Sequence, residues 1–222
     1  MQKKLKKIAI IDFGLGNISS VQAACEFAGA DTVVLERYDK YAEREISGLI
    51  LPGVGAYQKA METIKENGLS DTIQDVILKK KPVMAICLGH QLLFEKSLEF
   101  GTSFGLGILS GDVIPIEYTI RQEAKPRVPN VGWFKLTLNP ERQEVEWNNP
   151  PFSNLNTSSH FYFTHSLVAV PKDKSTVQTS TCVVETKFVS SVGVGPVFGC
   201  QFHPEKSGQA GLSIYKNFIE SC

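Results

Sequence analysis

The sequence lacks an excess of either charge and lacks long apolar runs, and both absences narrow its possible functions. Lys and Arg total 23 and Asp and Glu total 23 among 222 residues, so the formal net charge is +0. A neutral chain has no long-range positive field to attract nucleic acids or anionic membranes. The longest apolar runs, such as 8–11 and 83–88, are far shorter than the roughly 20 residues that a spanning helix needs. Nucleic-acid-binding and membrane proteins are therefore disfavoured.

Cysteine is scarce, and its spacing matches neither a disulfide framework nor a zinc site. The number is odd, the positions are scattered and no CxxC pair occurs. The cysteines are Cys25, Cys87, Cys182, Cys200 and Cys222. The basic N-terminus is followed by only a short apolar run without a small-residue cleavage site, which is not typical of a signal peptide. We therefore expect a cytoplasmic protein in a reducing compartment, with no metal or other cofactor.

The first half of the chain alternates between short apolar strands and amphipathic helices. We predict strands at 7–12, 32–35, 48–51 and 82–86, and helices at 17–27, 60–66 and 69–80. The strand at 82–86 has no polar alternation, which is typical of a parallel sheet covered on both faces.

The second half has short β-like runs from residue 107 onward, then a last strand at 197–202 and a closing helix at 210–220. The polar segment 141–159 is interpreted as a surface excursion. We predict an α/β protein with three layers, a mostly parallel central sheet and an added antiparallel layer, forming one domain over 1–222.

Cys87 directly follows the strand at 82–86, and residues 91–95 have the pattern of an amphipathic helix. A sharp strand-to-helix turn projects its side chain out of the sheet, as in a nucleophile elbow. The small residues Ala85 and Gly89 make such a turn possible, and a helix N-terminus favours a thiolate. The competing interpretation is a buried structural cysteine, which is the commoner role for an isolated cysteine.

The segment 201–205, Gln-Phe-His-Pro-Glu, contains a base and a carboxylate to orient it. In an extended chain His203 and Glu205 face the same side, so one imidazole nitrogen could bind the carboxylate while the other faces a nucleophile. In a parallel sheet these residues and Cys87 could meet at the carboxyl ends of the strands. Together they predict a catalytic triad, with a surface His–Glu pair as the alternative.

A glycine-rich turn after the strand at 48–51 could provide an oxyanion hole. Gly53, Val54 and Gly55 could offer backbone N–H groups to a developing negative charge, although glycines after strands are common. The Lys and Ser/Thr of a phosphate-binding loop are missing. The earlier turn at 14–17 lacks the third glycine of a dinucleotide fingerprint.

Together these motifs resemble those of the class I (triad) glutamine amidotransferases, and they span positions 12 to 211. Within that class the sequence most resembles the glutaminase subunit of imidazole glycerol phosphate synthase. The matching segments are 12–17, 51–56, 91–95, 132–133, 162–166 and 205–208.

The resemblance implies a role for each motif. Cys87 would attack the carboxamide of L-glutamine to form a glutamyl thioester and release ammonia, with His203 as base and then acid and Glu205 as its orienting group. The glycine turn would form the oxyanion hole. The residues implied to bind glutamine are Gln91, Glu99, His165 and Ser166.

The resemblance also implies a partner. Ammonia would pass to a (βα)8-barrel synthase subunit that makes imidazole glycerol phosphate in histidine biosynthesis, within a heterodimer. Asn17, Trp133 and Lys206 would lie at the interface. Because the family couples activity to partner binding, we expect the isolated chain to be nearly inactive.

Several positions differ from the usual pattern of the family. Ala85 replaces a glycine of the elbow, Asn130 a histidine, Phe134 an asparagine and Leu167 a common aromatic residue. Three alternatives therefore stay open: a paralogue that supplies ammonia for surface-polysaccharide sugar amidation, a stand-alone γ-glutamyl hydrolase, and a catalytically silent subunit.

Overall fold

A computed structural model describes residues 5–39, 45–119, 127–140, 151–153, 155–156 and 158–222. The strands in these ranges are β1 Lys6–Ile11, β2 Ala30–Leu35, β3 Gly48–Leu51, β4 Val83–Ile86, β5 Phe94–Ser97, β6 Ser103–Phe104, β7 Leu109–Pro115, β8 Asn130–Lys135, β9 Thr137–Leu138, β10 His160–His165, β11 Leu167–Pro171, β12 Val177–Val183, β13 Thr186–Val194 and β14 Val197–Cys200. The α-helices are α1 Ile18–Phe27, α2 Tyr57–Glu66, α3 Leu69–Leu78, α4 Leu88–Leu92 and α5 Gly208–Ser221.

The central sheet has eight strands in the order β2-β1-β3-β4-β14-β13-β12-β9. The first five are parallel, and β13, β12 and β9 continue the sheet in antiparallel pairing. Two smaller sheets are added, a ribbon of β8 and β10 and a four-stranded sheet in the order β11-β7-β5-β6. This arrangement matches the predicted α/β architecture with a mostly parallel sheet and antiparallel additions.

Helices cover both faces of the parallel part, which makes the three predicted layers. On β1, Ile8 and Ile10 pack with α1 and α5 on one face. Ala9 and Ile11 face the opposite side and pack with α2 and α3. Each fully buried Ile or Leu of this kind contributes roughly 1.5–3 kcal/mol relative to exposure, so the continuous apolar strands account for a sheet buried on both sides.

Two local predictions were wrong, one because of strand pairing and one because of a local turn. The helix predicted at 91–95 ends at Leu92, because Phe94–Ser97 pairs with β7 and β6 as a strand. The segment 201–205 is not extended throughout, because Pro204–Lys206 forms a 3-10 turn.

The segment 141–159 was predicted to lie on the surface. Residues 141–150, 154 and 157 lie outside the described residues, but Phe152 and Leu155 are buried in the core beside α5. The prediction is therefore wrong for these two side chains. None of the helices in the ranges given above combines the length and apolarity that crossing a membrane would require.

Candidate active site

Cys87 lies at the junction of β4 and α4 in a backbone conformation that L-residues rarely adopt. Its φ is 54° and its ψ is −107°, and the N–H of Cys87 donates to the Cys200 carbonyl at 2.8 Å. A Cβ at Gly89 would overlap the carbonyl of Leu51, so only glycine lets α4 cross the end of β3 so closely. These features form the sharp turn of a nucleophile elbow.

His203 follows β14, the parallel neighbour of β4, so the two strands bring His203 and Cys87 to the same edge of the sheet. The Nδ1 of His203 donates to Oε1 of Glu205 at 2.7 Å, and both side chains are only 3% exposed. The Nε2 of His203 is buried and has no hydrogen-bond partner among the described residues. The 3-10 turn, and not an extended chain, makes the His203–Glu205 contact.

The pKa of His203 reflects opposing influences. Burial lowers it, but the side chains of Cys87 and Glu205 both raise it and outweigh burial, so the pKa is raised to about 10. The site therefore favours an imidazolium next to Cys87, and in general such a cation promotes thiolate formation.

A cleft of about 400 Å³ opens over Cys87, a size suited to a small ligand. Backbone and side chains from both halves of the molecule surround it. Its lining residues are Val54, Gly55, Cys87, Leu88, Gln91, Glu99, Pro129, Thr164, His165, Ser166 and Leu167. All four residues predicted to bind glutamine are among them.

Glu99 also has a structural contact. Its Oε2 accepts a hydrogen bond from the N–H of Tyr57 at 2.8 Å, at the start of α2, where the preceding Ala56 has no side chain to cap the helix. Glu99 therefore ties the cleft wall to the N-terminus of α2.

His165 is buried with both ring nitrogens occupied by protein. Its Nδ1 donates to the Leu167 carbonyl at 2.8 Å, and its Nε2 accepts from the side-chain amide of Asn130 at 2.9 Å. Burial lowers the pKa of His165, the Leu167 carbonyl partly raises it and His203 lowers it further, which leaves it at about 4. A neutral imidazole with no free nitrogen shapes the cleft wall and offers no polar ring atom to a ligand.

The glycine turn lies beside the cleft, and the N–H of its middle residue, like that of the residue after Cys87, is in use. The N–H of Val54 donates to the Leu15 carbonyl at 3.2 Å, and the N–H of Leu88, the residue after Cys87, donates to the Gly53 carbonyl at 3.2 Å. Val54 and Gly55 line the cleft, whereas Gly53 is buried behind them. In this conformation neither N–H is available to an oxyanion.

Two of the three predicted interface residues lie on one surface. Trp133, which is 53% exposed, packs edge-on against Tyr162 with ring centroids 5.7 Å apart. The Nζ of Lys206 lies 5.9 Å from the centroid of the same tyrosine ring. We call these three residues the aromatic patch. Asn17 is exposed and caps α1, accepting a hydrogen bond from the N–H of Ser20 at 3.4 Å.

Sequence reasoning gave no role to two buried amides of the site, Gln201 and Asn130. Gln201 precedes His203 by two positions, and this alternation within the 201–205 motif could have indicated that both side chains face the same region. The sequence contains no comparable signal for the contact of Asn130 with His165, which are 35 positions apart.

All five cysteines are free. Within the described ranges, no group of three or more His, Cys, Asp and Glu side chains is arranged to hold a metal ion.

A comparison with protein-family models identifies the family of this chain. A family model described as glutamine amidotransferase class-I matches residues 9–222. The chain therefore belongs to the class I glutamine amidotransferase family, as predicted.

Individual relatives within this family show a closer similarity to one kind of subunit. The chain is 39% identical over 216 residues to the imidazole glycerol phosphate synthase subunit HisH of Lactococcus lactis, covering 97% of this chain and 99% of that protein. It is 41% identical over 212 residues to the subunit of the same name from Aquifex aeolicus, covering 96% of this chain and 95% of that protein.

A solved structure supports the fold. A putative GMP synthase subunit from Thermoplasma acidophilum superposes with a TM-score of 0.70 at 20% identity, covering 100% of this chain and 96% of that one. The predicted fold class is confirmed.

Proposed function

We propose that this chain is the glutaminase subunit of an imidazole glycerol phosphate synthase, formed by a single amidotransferase domain over residues 1–222. It hydrolyses L-glutamine to glutamate and passes the ammonia to a (βα)8-barrel partner in histidine biosynthesis. The observation that carries the proposal is Cys87 at a strand-to-helix elbow, beside the buried His203–Glu205 pair and beneath the cleft. The near full-length likeness to the HisH subunits supports the pathway.

The geometry supports the following chemistry. The sulfur of Cys87 attacks the carboxamide carbon of glutamine, and His203 moves the thiol proton to the departing ammonia, which leaves a glutamyl thioester. Water then attacks the thioester with His203 as base, which releases glutamate and restores the thiol. Glu205 holds Nδ1–H of His203 throughout and stabilises the imidazolium.

The occupied N–H groups of Val54 and Leu88 support low activity in the isolated chain. A tetrahedral intermediate needs N–H groups directed at its oxyanion, but those of Val54 and Leu88 donate to protein carbonyls. We expect binding of the barrel subunit to rearrange this turn and free a donor. The same observation disfavours a stand-alone hydrolase.

The aromatic patch is the surface that we assign to the partner. Exposed aromatic side chains such as Trp133 are typical of interface centres. The backbone carbonyl of Tyr162 accepts a hydrogen bond from the N–H of His203 at 2.8 Å. A partner bound at the patch would therefore contact a residue that is hydrogen-bonded directly to the catalytic base. The free cysteines suit a reducing cytosol.

The test compares glutamine hydrolysis by the wild type and by Cys87→Ala, each alone and with the barrel subunit. We expect the wild type to hydrolyse glutamine rapidly only in the complex, and Cys87→Ala to be inactive in both states. Turnover by Cys87→Ala would refute the nucleophile assignment.

A second measurement distinguishes the pathways. The complex should form imidazole glycerol phosphate with glutamine as the nitrogen source. Normal ammonia release without that product would indicate the polysaccharide paralogue instead.

A further inference from the structure

One buried side chain contacts the reacting sulfur and has no role in the mechanism above. Gln201 is 0% exposed, and its backbone N–H is fixed by the Ser190 carbonyl at 2.9 Å. Its side-chain Oε1 accepts from Nε2 of Gln91 at 2.9 Å, and its Nε2 lies 3.7 Å from the Sγ of Cys87. A neutral amide therefore bridges the cleft wall and the sulfur.

The orientation of this amide follows from a single main-chain atom. The Leu167 carbonyl can only accept hydrogen bonds, and it lies 3.3 Å from Nε2 of Gln91. Gln91 must therefore present its NH2 group, and Gln201 must present its oxygen to Gln91. The NH2 group of Gln201 is then the one directed at Cys87.

We propose that Gln201 is a further catalytic residue of the glutaminase, which donates an N–H to the Cys87 sulfur and stabilises its thiolate form. Gln91 is a positioning residue that fixes the orientation of Gln201, in addition to lining the cleft. This inference rests on the proposed function, because it assigns a role within that reaction.

The Cys87 sulfur has a second contact, which competes with the N–H of Gln201. The Thr164 carbonyl lies 3.8 Å from the Sγ of Cys87 and can accept only from the protonated thiol. The Gln201 amide, in contrast, donates most strongly to a charged sulfur. The two contacts therefore favour opposite protonation states, and Gln201 shifts the balance toward the nucleophilic one, both before attack and when the sulfur leaves the thioester.

The test replaces the donor while keeping the volume of the side chain. In complexes of the wild type and Gln201→Met with the barrel subunit, iodoacetamide alkylation of Cys87 is followed against pH. Mass spectrometry of the Cys87 peptide is needed because the other cysteines are also free. We expect the pH midpoint to rise by about one unit and kcat at neutral pH to fall about tenfold, with a smaller change in KM.

Further variants sharpen the test. Gln201→Glu places a negative oxygen next to the sulfur and should raise the midpoint more than Gln201→Met. Gln91→Met frees the amide of Gln201 to rotate, so it should raise the midpoint by less and also increase KM. Gln178→Met, which removes an amide next to Gly193 on β13, is the matched control and should leave the midpoint unchanged.

An unchanged midpoint in Gln201→Met, with only a loss of thermal stability, would show a purely structural amide and overturn the inference. Failure of the proposed function gives a different result, because Cys87→Ala would then retain turnover whatever the midpoints are.

Discussion

The two sides of the active site are built in different ways. On one side, the parallel strands β4 and β14 deliver Cys87 and His203 through their backbone positions at one sheet edge. On the other side, the β8–β10 ribbon and the start of β11 form the cleft wall through side-chain contacts, such as that between Asn130 and His165. The positions of the proposed reacting groups thus depend on strand order, whereas the cleft wall depends on individual polar pairs. We expect substitutions to affect chemistry on the first side and recognition on the second.

The largest expected effect lies on the parallel side. In Glu205→Gln the buried carboxylate that holds Nδ1–H of His203 is lost, so we expect kcat of the complex to fall by roughly 10²–10⁴-fold. Steady-state glutamine hydrolysis measures this. The exposed Glu66→Gln on α2 is the control, and an equal loss there would show that charge alone is responsible.

The next effect tests the backbone of the elbow. Gly89→Ala would drive a methyl group against the carbonyl of Leu51, so we expect the free energy of unfolding to fall by about 1–3 kcal/mol and activity to fall with it. Urea denaturation measures the change. Gly16→Ala, where a Cβ would make only ordinary contacts, should be close to neutral. Wild-type stability in Gly89→Ala would mean that α4 can move away from β3.

The ribbon side should show a different response. Truncating the half-exposed ring in Trp133→Ala should weaken binding of the barrel subunit by about 2 kcal/mol, roughly 30-fold, with little change in the unfolding of the isolated chain. Titration calorimetry with the partner gives the affinity. Tyr118→Ala removes another exposed aromatic ring outside the patch, and an equal loss of affinity there would contradict the assignment.

The smallest effect concerns acid stability on both sides. The pKa of His90 is lowered to about 3, mainly by burial and to a smaller extent by His165. The pKa of His165 is lowered to about 4, mainly by burial. Both pKa values lie below the ordinary value of 6.5. At a pH between these values the two histidines therefore take up protons when the protein unfolds. The contribution of these two histidines to stability should therefore be complete above about pH 6.5 and decline from there toward pH 3–4.

His90→Leu should reduce this decline, because leucine takes up no proton on unfolding. The substitution breaks no hydrogen bond, since both nitrogens of His90 are buried without a partner among the described residues. We expect a gain of about 1 kcal/mol relative to wild type at pH 5, measured by urea denaturation at pH 5 and 7.5. A constant gain at both pH values would show that packing, and not protonation, is responsible.

The same division explains how much could be predicted from the sequence. The strand at 48–51 was predicted with its observed bounds, and Cys87 and His203 were singled out as candidates, because apolar runs and short motifs are local in the chain. The bridge from Gln91 to Gln201 joins residues 110 positions apart, and periodicity carries no information about such a pairing. The helix predicted at 91–95 failed because strand pairing overrides local periodicity, since β6 and β7 take Phe94–Ser97 into their sheet.

The carbonyl of Leu167 accepts hydrogen bonds from both His165 and Gln91. Two functional side chains thus take their orientation from an atom that every amino acid at this position would supply. Mutation can exchange the side chain of residue 167 without deleting that acceptor, so a leucine here keeps both hydrogen bonds that an aromatic residue would also accept. For engineering, this position is a place to reshape the cleft while the orientation of His165 and Gln91 is inherited from the main chain.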